Sequence, residues 1–168
     1  MTPRAGSIDD LREMVTDHRI HTIELAAPDT QGHLRGKRIP AARFLDGVHR
    51  SGANIADAMF VFDMANDLPD NEFINMDTGY LDCHLVPDTT TGRLLGHRPG
   101  YALVFADAHD QTGRPHALAP RSVLAVQVER CRAAGVDPFL ATEMEFYLCH
   151  EDWSPVQEHI QYLSLIHI

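Results

Sequence analysis

Basic side chains are scarce in this sequence: 14 Lys and Arg stand against 24 Asp and Glu, a formal net charge of −10. Phosphate neutralisation needs clustered Lys and Arg, so a nucleic-acid partner is excluded. The densest basic stretch, Arg35-Gly36-Lys37-Arg38, is short and reads as one solvated strand edge. Cysteine is also sparse. Cys83, Cys131 and Cys149 are far apart, odd in number and without Cys-x-x-Cys spacing, which predicts a reduced, cytoplasmic setting rather than a disulfide framework. No apolar run approaches the roughly 18–20 residues that span a bilayer. The chain opens into a polar, acidic segment instead of a signal-peptide core, so no membrane partner is expected. Eleven histidines invite a metal, yet none shows i,i+4 helical pairing or zinc-type spacing. P-loop and nucleophile-elbow patterns are absent as well.

What is present is an ordinary globular composition, 44% apolar and 23% charged over 168 residues. That length fits one domain, or a small domain with part of another. Ser7 is a candidate N-cap for a helix whose apolar stripe is Leu11, Met14 and Val15. A strand is expected over 21–27, a turn at Asp29-Thr30-Gln31-Gly32, and a returning strand over 33–39. A helix beginning after Pro40 would close at Gly52. Strands follow over 55–62, 80–86 and 101–106, separated by loops over 65–78 and 89–96. Pro120 opens a further helix carrying Val123, Leu124, Val128 and Cys131, with Gly135 as its stop. The expected division is a lead-in over 1–17, a small α+β domain over 18–114, the start of a second domain over 115–150, and an atypical tail over 151–168. That tail ends in an apolar run with nothing to pack against, so the chain reads as a fragment.

The final strand expected, 139–149, carries the chemistry. Side chains alternate along a strand, so Phe139, Ala141, Glu143, Glu145 and Tyr147 share one face. Leu140, Thr142, Met144, Phe146 and Leu148 form the other, apolar face, expected against a core. Glu143 and Glu145 then stand roughly 6.5–7 Å apart, pointing the same way. Two such carboxylates repel unless a cation sits between them, and hard ions such as Mg²⁺ or Mn²⁺ prefer these oxygen ligands. By spacing alone, a solvated strand face is the favoured reading, because Glu-x-Glu pairs are common on exposed strands.

The surrounding residues carry a more specific signal. Glu143-Met144-Glu145-Phe146-Tyr147-Leu148, preceded by Pro120-Arg121, a helix and Gly135, resembles the opening of the catalytic domain of glutamine synthetases. Asp29-Thr30-Gln31-Gly32-His33-Leu34-Arg35-Gly36-Lys37-Arg38-Ile39-Pro40 is similar to the first hairpin of that family's N-terminal domain. Leu85-Val86-Pro87-Asp88 and the segment 107–113 add further matches, in order, over roughly three quarters of the chain.

The resemblance implies a β-grasp-like N-terminal domain followed by the first helix and strand of a catalytic domain. It implies an ATP-dependent ligase that joins the γ-carboxylate of L-glutamate to ammonia or an amine through γ-glutamyl phosphate, with Mg²⁺ or Mn²⁺ as cofactor and a homo-oligomeric assembly. Carried over by position, Glu143 and Glu145 are metal ligands, and Asp57 is the carboxylate that binds or deprotonates the incoming ammonium, in a loop that reaches a neighbouring subunit. Gly96-His97-Arg98-Pro99 replaces the family's Pro-Trp pair, and Asp57-Ala58-Met59-Phe60 replaces Asp-Gly-Ser-Ser. Both departures lean toward relatives that glutamylate polyamines or other amines. The remaining metal, ATP and glutamate ligands of the family lie downstream, so this chain alone is expected to be inactive. A non-catalytic assembly or regulatory module of the same ancestry is the rival, and a stand-alone divalent-metal binder is a third.

Overall fold

The computed structural model describes residues 3–145. Ser7 caps helix α1 (Ile8–Asp17): its Oγ accepts the Asp10 amide at 3.1 Å, while Asp10 Oδ2 accepts the Gly6 amide at 2.8 Å. Those bonds satisfy amides that the first helical turn leaves without a partner. Leu11 and Met14 are the buried residues of this helix.

Strands β1 (Thr22–Pro28) and β2 (Leu34–Pro40) form the expected hairpin, in register from Thr22↔Pro40 to Pro28↔Leu34. Gly32, with φ of 85°, supplies the left-handed residue the turn requires. Gly36 lies so close to β1 that a Cβ there would fall on the Leu25 carbonyl, which is why this edge strand carries a glycine amid basic residues. Pro40 then leads into a short helical run, α2 (Ala41–Arg43), a π-helical turn (Phe44–Val48) and α3 (His49–Ser51). Gly52, with φ of 66°, ends it.

The sheet continues with β3 (Ala53–Ala56), β4 (Asp82–Leu94) and β5 (Tyr101–His109). Its order is β2-β1-β5-β4-β3, with β1 and β5 parallel and the other pairs antiparallel. Ile23, Leu25, Leu85, Ala102, Val104 and Ala106 point from the sheet into a core closed by Leu11, Met14, Phe44 and Phe60. Burial of this apolar surface is the main stabilising term of the fold. On the opposite face of β1, Glu24 accepts from Arg38 at 2.9 Å and Arg98 at 2.5 Å.

Three sequence expectations change. The strand over 55–62 stops at Ala56, and Asp57–Phe60 forms a 3₁₀ turn with all four residues buried. Continuous burial on every side suits a tight turn packed within the core better than a strand with two faces. The loop over 89–96 is instead the second half of β4, which passes a register shift between Asp88 and Arg93 and rejoins β5. The strand over 139–149 is not formed in its described part: residues 139–145 have no regular structure, and Leu140 and Met144 are exposed rather than core-facing. A strand needs a neighbour to take up its backbone hydrogen bonds, and none of β1–β5 pairs with this segment. Residues 146–149 and the tail 151–168 lie outside the described residues.

Helix α4 (Pro120–Ala133) begins at Pro120 as expected and ends in a left-handed Gly135, where the Val136 amide reaches back to the Cys131 carbonyl at 2.9 Å. It buries no residue of its own. Arg121 fastens its first turn to the sheet, donating to Asp107 at 2.7 Å and Asp88 at 3.0 Å.

Candidate functional site

Asp57 is the first residue of the 3₁₀ turn that follows β3, and it is 8% exposed. Its amide donates to the Leu81 carbonyl at 2.9 Å, so the long loop between Phe60 and Asp82 leaves and returns at this residue. That loop carries Asp63, Asp67, Asp70, Glu72 and Asp77 without a single Lys, Arg or His. It is ordered by its own side chains: Asn71 Oδ1 accepts the Phe73 and Ile74 amides, and Asn75 Oδ1 accepts those of Asp77 and Thr78.

Among the described residues, Asp57 Oδ1 is buried with no hydrogen-bond partner. A buried carboxylate oxygen without a donor is costly, and such costs concentrate where function demands them. Burial pushes the Asp57 pKa above its ordinary value; Asp82 pushes it further, while the nearby His116 charge and the Ala58 amide pull against the rise. Cys83, 1% exposed, belongs to the same cluster, its thiol pushed up to about 11 by burial and by the Asp57 carboxylate. His116 is pushed down by burial, against the upward pull of Asp57 and Asp110.

A carboxyl whose folded pKa is raised adds stability below its unfolded pKa and loses it as pH rises through the folded pKa. At pH 7 the ionised Asp57 therefore opposes folding. Asp57→Asn is expected to raise the melting temperature at pH 7, and the gain should vanish near ~pH 3.5, where carboxylates protonate. An unchanged or lowered melting temperature at pH 7 would show that the carboxylate is better solvated than its burial implies.

The resemblance places Asp57 in a loop that reaches a neighbouring subunit; in this chain it is buried in the turn after the edge strand β3, at the base of the long loop 61–81. Glu143 and Glu145 are exposed, in a segment without regular structure, and neither is among the groups that shift the Asp57 carboxyl. Among the described residues, no group of three or more His, Cys, Asp or Glu is placed to hold a metal ion. The two glutamates are oxygen donors of the right chemistry for Mg²⁺ or Mn²⁺, but they do not by themselves fit a coordination site. A groove of about 920 Å³ between β5 and α4, lined by Asp107, His109, Arg121, Leu124 and Val128, includes none of the three candidate residues. No helix of the described residues is long and apolar enough to cross a membrane. His116, Phe60 and Cys83 carry no sequence signal; only the fold gathers them around Asp57.

Comparison with known proteins places this chain in a lineage. The chain is 35% identical over 142 residues to a glutamate–isopropylamine ligase from a Pseudomonas species, covering 84% of this chain and 31% of that protein. The chain belongs to the glutamine synthetase family. It is also 33% identical over 153 residues to the γ-glutamylethanolamide synthetase of Streptomyces coelicolor, covering 90% of this chain and 33% of that one. Among solved structures, ligand-free GmaS superposes with a TM-score of 0.56 at 25% identity, over 74% of this chain and 26% of its own. The mixed α+β architecture built on a sheet matches this neighbour. The chain thus spans about a third of the length of the curated relatives it matches. No family model matches it.

Proposed function

We propose that this chain is the N-terminal part of an ATP-dependent ligase that joins the γ-carboxylate of L-glutamate to an amine, with a β-grasp-like domain up to about residue 114 and the start of the catalytic domain beyond it. The observation that carries the amine side is Asp57, a buried carboxylate whose Oδ1 has no donor among the described residues. A cationic amine brings both the charge and the N–H groups that such an oxygen lacks, and the same carboxylate can accept the proton that must leave before nitrogen attacks. The two relatives described above act on isopropylamine and ethanolamine by name, which favours a substituted amine over ammonia. The homo-oligomeric state and the cytoplasmic setting belong to the same proposal.

Glu143 and Glu145 are assigned to the metal side, as two ligands of Mg²⁺ or Mn²⁺ completed by groups outside the described residues. The ion would neutralise phosphate charge there. Both glutamates stand exposed beyond α4, where further chain can join them.

The test is an assay for ATP-dependent γ-glutamyl-amide formation from L-glutamate and a panel of ammonia, isopropylamine, ethanolamine and putrescine. A form that continues beyond residue 168 with the family's remaining ligands should make an amide with at least one substituted amine, and the 168-residue chain should make none. Product from the chain alone, or none from the longer form with any amine, would overturn the proposal.

A further inference from the structure

The Asp57–Phe60 turn is held from two sides. Thr30, in the β1–β2 turn, donates its hydroxyl to the Phe60 carbonyl at 3.0 Å. On the other side the His116 ring stacks on the Phe60 ring, with centroids 4.8 Å apart and planes inclined by 27°. His116 is itself fixed: its amide donates to the Ala108 carbonyl of β5 at 2.8 Å, and its Nδ1 accepts the Leu118 amide at 3.3 Å. With Nδ1 serving as acceptor, the neutral ring carries its proton on Nε2.

We infer that His116 is a positioning residue for Asp57: stacked on Phe60 and pinned at Nδ1 by the Leu118 amide, it fixes the turn that presents the carboxylate while leaving Oδ1 without a bonded cation. The inference rests on the assignment of Asp57 to the amine. An Arg or Lys at this place would hold the turn equally well but would occupy the carboxylate that a cationic substrate has to meet. An imidazole holds by its ring face. Burial pushes its pKa below the ordinary histidine value, which favours the uncharged ring. The charged and titratable groups around the pair are few. Asp82 and Cys83 face Asp57 from β4, and Asp110 faces His116 from the turn after β5.

Amide hydrogen exchange on the 168-residue chain tests the positioning directly. His116→Leu removes the stack, and the Asp57 and Val61 amides, which bond the Leu81 and Ala58 carbonyls, should then exchange faster. The expected factor is about two- to tenfold, the reach of one aromatic pair. His116→Phe restores the ring face and should restore most of the protection, while amides of β1 and β5 stay unchanged in both variants. Unchanged exchange at Asp57 and Val61 in His116→Leu, or a Phe variant no better than Leu, would overturn the inference.

A second arm leaves His116 in place and remains decisive if the Leu variant unfolds. Asp57→Asn removes a charge that pulls the His116 midpoint upward, so the ring should titrate at lower pH by proton NMR. A ring that titrates as in the wild type shows that the two groups do not sense each other and sinks the inference. Failure of the amine assignment reads out elsewhere, as full ligase activity of Asp57→Asn in the longer form, and leaves the exchange result standing.

Discussion

Asp29→Ala should lower the stability of the chain by about 3 kcal/mol, read as a fall in the urea midpoint at pH 7. Asp29 is 1% exposed, the more deeply buried of the two carboxylates in the core. Its Oδ1 accepts the Gln31 amide at 2.9 Å and the His33 amide at 2.8 Å, and its Oδ2 accepts from Arg35 Nε at 2.5 Å. Removing the carboxylate leaves two turn amides and one guanidinium without their acceptor. Losing one partner of a buried ion pair costs about 3–5 kcal/mol, and the 20% exposure of the Arg35 side chain puts this case at the lower end. The pH dependence has the opposite sign to that of Asp57. Burial pushes the Asp29 pKa up, but the Arg35 bond, the two amides and the Arg35 charge outweigh it and hold the carboxyl below its ordinary value. A depressed folded pKa gives stability that is present above the unfolded pKa and lost as pH falls through the folded one. The gap between wild type and Asp29→Ala should therefore close in acid. A gap that persists there would assign the loss to packing rather than charge.

The consequence reaches the candidate site. Arg35 also donates to Asn66 Oδ1 at 2.7 Å and lies over the Phe62 ring at 5.0 Å, while neighbouring Thr30 holds the Phe60 carbonyl. The first hairpin is thus the support on which the Asp57 turn rests. Two buried carboxylates sit in one small core with opposite electrostatics: Asp29 saturated with donors and stabilising, Asp57 unsatisfied and opposing the fold at neutral pH. That contrast separates a structural carboxylate from a functional candidate without any reference to relatives.

The hairpin was legible because its signals are local: Asp29 and Gly32 dictate the turn, and alternation sets Ile23, Leu25 and Ala27 inward. The helices over 8–17 and 120–133 announced themselves through Ser7, Pro120 and Gly135 for the same reason. The second half of β4 was hidden because Thr89-Thr90-Thr91-Gly92 reads equally as a turn. What makes it a strand is β5 alongside, whose Phe105 amide donates to Thr91 Oγ1 at 2.9 Å across the register shift. Asp57 was visible by position and chemistry, but its burial and missing donor were not, because the 3₁₀ turn that buries it forms against a histidine far along the chain. Sequence periodicity reports faces of one element, not contacts between elements that meet only in the folded sheet.

Glu143→Gln and Glu145→Gln should each leave this chain as stable as before and, if the proposed function holds, each remove most of the ligase activity of a longer form. Both side chains are exposed and make no ion pair or hydrogen bond among the described residues, so either change should alter folding by less than about 0.5 kcal/mol. Catalysis is another matter. A glutamine keeps the size and one oxygen of the glutamate but loses the charge that a divalent ion demands of its ligand. If the two residues hold the ion that neutralises the transferred phosphate, each variant should lose about a hundredfold or more in kcat, as several kcal/mol of charge stabilisation implies. Excess Mn²⁺ should recover part of that loss. Leu140 and Met144, 86% and 83% exposed, lie on the side that an extended strand would turn away from the glutamates. Covering that side with further chain would order the strand and present both carboxylates together. Near-normal turnover by either variant would show that this segment does not carry the metal. A marked loss of stability in the 168-residue chain would show that the glutamates already have partners in it.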